Sequence, residues 1–206
     1  MDQVGITAYG GYIPRLRLSR ESIVRANAWV NPGLMAYGKS ERSICDVDED
    51  SITMAVEAAR DCLAGMDRKG VETLYFASTT APFDDRQNAS VIAEALGLKE
   101  EISTLDVSHS QRAGTSGLIA ALKAANGDGD GTALFVAADN RQARAASVQE
   151  LLFGDGGAAL TLGRQNVIAK LLGAHSITRD LVDHYRGKGS TFDNGWEERW
   201  IRDEGY

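Results

Sequence analysis

Two cysteines, three histidines and no surplus of basic side chains leave these 206 residues short of several common chemistries. Cys45 and Cys62 provide neither a disulfide framework nor a Cys-x-x-Cys metal spacing, a usage that fits a reducing, cytoplasmic setting. No apolar run approaches the ~20 residues a membrane span needs. The opening Met1-Asp-Gln-Val has no basic region followed by a long apolar stretch, so no secretory signal is expected. Lys and Arg number 22 against 29 Asp and Glu, a formal net charge of −7, and the pI is near 5.0. That balance argues against a nucleic-acid partner, which calls for a basic face. Several motifs are missing too. Gly114-Thr-Ser-Gly117 lacks the Gly-x-Ser-x-Gly spacing, so a serine hydrolase built on that elbow is not expected. No Gly-x-Gly-x-x-Gly or P-loop follows the first strand, which weakens a nucleotide-binding reading. The turn Gly127-Asp-Gly-Asp-Gly131 lacks the later ligands of a calcium loop. The acids Asp46, Asp48, Glu49 and Asp50 precede a helix and read as cap and dipole partners rather than metal ligands. His175 and His184 have no local partner pattern. What is left is an acidic globular chain, 43% apolar, long enough for one sizeable core.

Periodicity supplies an α/β order. Val4 to Ile13 reads as a buried strand whose glycines let other backbone approach, and Ser19 as the cap of a short helix. Asn31 to Asp50 reads as irregular. Ser51 to Gly65 is the clearest helix, followed by a strand at Thr73 to Ser78 and a helix from Asn88 to Leu96. A strand from Ser103 to Val107, a small-residue helix from Arg112 to Ala125 and an apolar strand from Thr132 to Ala138 come next. After a basic, alanine-rich segment, Gly156 to Leu162 and Val167 to Ile177 read as successive strands. This order predicts a mostly parallel five-stranded sheet with helices on its faces, finished by antiparallel pairing. Residues 180–206 are polar yet hold Trp196 and Trp200, so this tail is expected to dock onto something.

The most informative segment is Thr104-Leu-Asp-Val-Ser-His-Ser-Gln-Arg-Ala-Gly-Thr-Ser-Gly117. A buried strand ends in short polar residues and a helix begins at once. A group at such a junction meets free N–H groups and a dipole that stabilise developing negative charge. Ser108 or Ser110 capping a buried helix explains the same residues equally well.

Five stretches in order carry a family resemblance: GITAYGGYIPRLRLSRESI, DVDEDSITMAVEAARDCL, SVIAEALGL, LDVSHSQRAGTSGL and LLFGDGGAALTLG. Together they resemble the hydroxymethylglutaryl-CoA synthase and β-ketoacyl-ACP synthase III branch of the thiolase superfamily. The resemblance implies half of a thiolase fold over residues 1–179, a connecting tail at 180–206, and acyl-CoA or acyl-carrier thioester substrates. It also implies a homodimer or a complementary chain supplying the second half. Coenzyme A enters only as part of the substrate, with no separate cofactor, no metal and no membrane.

The departures matter as much. The position of the family's nucleophilic Cys is held by Gln111, whose carboxamide cannot form an acyl-thioester intermediate. Neither Cys45 nor Cys62 matches it. The position of the synthases' catalytic Glu is held by Thr79, in Ala77-Ser-Thr-Thr-Ala-Pro82. Gln111, Thr79 and, beside Gln111, His109 are therefore the candidate catalytic residues. Arg141 and Arg144 follow the end of a strand, where open α/β sheets bind ligands, and are candidates for coenzyme A phosphates. Two functions fit: thioester C–C chemistry, including decarboxylation by a Gln-for-Cys site, or a non-catalytic subunit of a catalytic partner.

Overall fold

The run Thr132-Ala-Leu-Phe-Val-Ala-Ala-Asp139 is apolar on both of its faces, so it belongs in the middle of a sheet covered on two sides. In the computed structural model, which describes residues 4–127, 131–179 and 184–195, it does. The elements are β1 (Gly5–Tyr12), β2 (Leu16–Ser19), α1 (Arg20–Asn27), β3 (Glu41–Ile44), α2 (Ser51–Cys62), β4 (Val71–Ala77) and α3 (Asn88–Ala95). They continue with β5 (Ser103–Val107), α4 (Ala113–Ala125), β6 (Thr132–Asp139), α5 (Val148–Leu152) and β7 (Gly156–Gly163). Three two-residue strands follow: β8 (Ala169–Lys170), β9 (His184–Tyr185) and β10 (Asn194–Gly195). Leu134, Val136 and Ala138 of β6 pack with α2 and α3, whereas Ala133 and Phe135 pack with α4. Trp196, Trp200 and residues 128–130 of the Gly127–Gly131 turn lie outside the described residues.

The α/β character stands, but the sheet is neither five-stranded nor mostly parallel. Six strands run in the order β5-β4-β6-β7-β1-β8. Only β4 with β5 and β4 with β6 are parallel, while β6–β7, β7–β1 and β1–β8 are antiparallel. The first strand does not join the parallel set; it pairs with β7, which doubles back from β6. The strand expected over 167–177 shrinks to β8. In the register Gly5↔Lys170, residue 171 already lies opposite Val4, and among the described residues the pairing goes no further. Leu172 and Ile177 are accordingly 90% and 67% exposed. The segment read as irregular at 31–50 holds a 3-10 turn at Pro32–Tyr37 and β3, and the alanine-rich segment after β6 holds α5.

Glycines let α2 lie close to the sheet. A Cβ on Gly10 would sit 2.2 Å from the Cys62 nitrogen and 2.6 Å from the Ala58 carbonyl oxygen, and one on Gly157 would sit 2.8 Å from the Met54 oxygen. Helix α2 starts in a reciprocal cap: Asp50 accepts from the Thr53 N–H at 2.8 Å, and the Thr53 hydroxyl accepts from the Asp50 N–H at 2.7 Å. Gly65 beyond its end adopts φ +75°, as a helix stop requires. Helix α3 has no side-chain cap of its own. Asp106 of β5 supplies one, accepting from Asn88 N at 2.7 Å and Ala89 N at 2.7 Å.

These elements form one unit, the described part of 1–18, 42–141 and 154–173. A second unit comprises 19–41, 142–153 and the described part of 174–206. In it, α1 begins at Ser19, whose hydroxyl accepts from the Ser22 N–H. Asn27 reaches Glu150 at 3.5 Å, Asn31 donates to the Ala146 carbonyl at 3.1 Å, and Ile23, Leu34 and Leu151 are buried. Among the described residues no helix is long and apolar enough to cross a membrane.

Candidate active site

The three parallel strands end together. Ala77 of β4 is level with Val107 of β5 and Ala137 of β6, and the Ser78 N–H donates to the Val107 carbonyl at 3.1 Å. Three loops therefore leave one edge of the sheet: Ser78–Thr80, Ser108–Arg112 and Asn140–Arg141. This C-terminal edge of parallel strands is where open α/β sheets place their ligands.

Thr79 proves to be one arm of a clasp. Asp139, the last residue of β6, accepts at Oδ1 from the Thr79 N–H at 2.7 Å and from its hydroxyl at 3.0 Å. The hydroxyls of Ser78 and Thr80 donate to the same oxygen at 3.0 Å each. Thr80 Oγ1 in turn accepts from the Asn140 N–H at 3.0 Å, tying the loop after β4 to the loop after β6. Thr79 donates here and helps to hold the Asp139 carboxylate. Asp139 was missing from the sequence candidates. Its one signal was a carboxylate closing an otherwise apolar strand.

The loop after β5 carries His109, Ser110 and Gln111. Ser110 Oγ accepts from the Arg112 N–H at 3.1 Å, and its carbonyl accepts from the Ala113 N–H at 2.9 Å, so Ser110 starts α4. Helix α4 then packs closely on the sheet because a Cβ on Gly117 would already meet Phe135 at 3.0 Å. Gln111 is exposed on this turn. His109 is held at φ +61° with Nδ1 2.7 Å from Ser108 Oγ. Thr79, His109, Gln111 and Arg141 thus belong to one unit and one strand edge. Arg144 belongs to the other unit, where its guanidinium donates to Asn194 Oδ1 at 3.1 Å.

Beside this edge, a cleft of about 390 Å³ is lined by Tyr12, Ile13, Asp139, Asp155, Gly156 and Gly157. The Phe153-Gly-Asp-Gly156 motif contributes structure here. Asp155 accepts from the Cys45 N–H at 2.8 Å through its carboxylate and from Ser43 Oγ at 2.6 Å through its carbonyl. Burial, then the Asp155 charge, pushes the Cys45 thiol from 9.0 up to about 12. Burial also raises Cys62, against a smaller lowering by hydrogen bonding to Thr161. Neither cysteine is a thiolate near neutral pH. The Tyr12 hydroxyl donates to Glu49, a bond that, with burial and the Glu49 charge, lifts the phenol to about 12. Among the described residues, no three His, Cys, Asp or Glu side chains group so as to hold a metal ion.

No protein-family model matches the chain. Curated relatives do. The hydroxymethylglutaryl-CoA synthase of Pyrobaculum aerophilum is 32% identical over 93% of this chain and 56% of its own length. That of Methanocaldococcus jannaschii is 32% identical over 91% of this chain and 55% of its own length. Among solved structures, MvaS in complex with 3-hydroxy-3-methylglutaryl coenzyme A superposes with a TM-score of 0.83 at 24% identity, covering 95% of this chain and 48% of that one. The chain spans about half the length of the curated relatives it matches. Over that half it is similar to the hydroxymethylglutaryl-CoA synthases, and it has an α/β thiolase-like fold built on a mixed six-stranded sheet.

Proposed function

We propose that this chain binds an acyl-CoA thioester at the shared end of β4, β5 and β6 and takes part in making or breaking a C–C bond. The supporting observation is the register that brings Thr79, Asp139 and the His109–Gln111 turn to one sheet edge. Arg141, on the segment leaving β6, offers its guanidinium group to the phosphates of coenzyme A. Coenzyme A arrives as part of the substrate, or the acyl group arrives on a carrier protein. The homologues are about twice as long, so a complementary segment or chain, or a second copy, completes the site.

Gln111 sets the kind of chemistry. Without a thiolate, the carboxamide N–H groups hydrogen-bond a thioester oxygen as it gains enolate charge. With malonyl-CoA the bond to the carboxylate breaks, CO2 leaves, its electron pair forms the enolate, and a proton gives acetyl-CoA. Incubation with malonyl-CoA tests this, with acetoacetyl-CoA as a ligand that has no carboxylate to lose. Release of CO2 and acetyl-CoA from malonyl-CoA, lowered in Gln111→Ala, is expected; neither turnover of malonyl-CoA nor binding of either thioester would overturn it.

Gln111 also favours a second reading, a non-catalytic subunit that shapes a catalytic thiolase-like partner. Acyl-CoA binding that occurs only in a complex with such a partner would support that reading over the first.

A further inference from the structure

The turn after β5 holds a reactive arrangement that Gln111 does not use. Of its two serines, Ser110 is engaged in starting α4, as its bonds to Arg112 and Ala113 show. Ser108 is not. Its Oγ lies 2.7 Å from His109 Nδ1, and on the far side of the ring His109 Nε2 lies 4.0 Å from Asp84 Oδ1. The hydroxyl is within hydrogen-bond reach of the imidazole, and the carboxylate lies near the other ring nitrogen. In the tautomer with its proton on Nε2, Nδ1 accepts from the Ser108 hydroxyl. His109 adopts a left-handed backbone conformation, φ +61°. The arrangement is open to a reactant, the side chains of His109 and Asp84 being 76% and 77% exposed.

We propose that Ser108 is an acyl-accepting nucleophile with His109 as its base, so that the chain hydrolyses thioesters and activated esters. The proposal rests on the reading that a thioester reaches this strand edge. It departs from the expectation drawn from the missing Gly-x-Ser-x-Gly elbow, because a nucleophile and base are defined by geometry rather than by spacing. In the first step Ser108 Oγ bonds to the acyl carbon while its proton passes to His109 Nδ1. The C–S bond then breaks, and the departing sulfur takes that proton as a free thiol. In the second step water attacks the seryl ester, giving a proton to Nδ1. The ester C–O bond breaks and Ser108 recovers the proton. A thioester and water become a carboxylic acid and a thiol, with no change of oxidation state. Asp84 touches no reacting atom. It is a positioning residue.

The test uses the full chain with p-nitrophenyl acetate, which needs no coenzyme A site, and in parallel with acetyl-CoA and a fluorophosphonate label read by mass spectrometry. Expected are a label on Ser108 and ester cleavage that falls roughly 10²-fold or more in Ser108→Ala and in His109→Gln, with circular dichroism unchanged. Ser90→Ala, on α3, keeps both. Asp84→Asn lowers the rate of labelling while leaving the labelled residue the same. A label elsewhere, no label, or full activity in Ser108→Ala overturns the proposal. Cleavage of the nitrophenyl ester without acetyl-CoA binding supports the Ser108–His109 pair and counts against the coenzyme A reading. Acetyl-CoA binding with neither label nor cleavage overturns the pair alone.

Discussion

Thr79 holds Asp139 twice, by its main-chain N–H at 2.7 Å and by its hydroxyl at 3.0 Å, across 60 positions of sequence. With Ser78 and Thr80 on the same oxygen, the loop after β4 is organised around a carboxylate that β6 delivers. Removing that carboxylate leaves several partly buried donors without their acceptor, whereas an amide still accepts. Asp139→Ala is expected to cost about 1–3 kcal/mol, and Asp139→Asn less. Urea unfolding followed by circular dichroism measures both, and equal costs would contradict the clasp.

A second carboxylate performs the same service for α3. Asp106 accepts from Asn88 N, Asn88 Nδ2 and Ala89 N, and the helix has no other side-chain cap. Asp106→Ala is expected to cost about 1–2 kcal/mol and to raise amide exchange first in the opening turn of α3. Exchange that rises evenly through the protein would point to a different role.

Gly10 faces the backbone of α2 with no room for a methyl group. Gly10→Ala must push α2 from β1, at an expected cost of about 1–3 kcal/mol or more. Gly70→Ala, where an added Cβ meets nothing within 4 Å, serves as the comparison. Thermal melts of the two variants should differ clearly.

Alkaline pH should unfold the chain early. Folding raises Cys45 from 9.0 and Tyr12 from 10.0, each to about 12, so the folded chain keeps protons that the unfolded chain releases. Their contributions are complete below pH 9 and are lost as pH climbs from there to about 12. Tyr12→Phe combined with Cys45→Ala is expected to flatten the fall in melting temperature across that window. An unchanged slope would remove these two groups from the explanation.

Local signals located the elements well and their assembly less well. Helix α2 was legible because its apolar spacing, the acids before it and Gly65 after it all agree. Strand β5 was legible at both ends, from Ser103 to Val107. The antiparallel seating of β1 was not, because nothing within Gly5–Tyr12 names β7 as its neighbour. The strand expected at 167–177 failed for the opposite reason: its apolar pattern is real, but among the described residues its pairing goes no further than residue 171. Gln111 and Thr79 stand out in the sequence as departures from a family pattern and His109 as the neighbour of Gln111, and the fold brings all three to one strand edge. Asp139 was hidden because its role exists only across strands, in bonds to residues some sixty positions away.

Calorimetric titration of acetyl-CoA onto the purified chain, alone and mixed with the complementary half of a homologous synthase, tests the central claim most directly. Saturable binding in at least one of the two, weakened about tenfold (about 1.4 kcal/mol) or more by Arg141→Ala, is the predicted result. A folded chain that binds no acetyl-CoA in either setting would contradict the account.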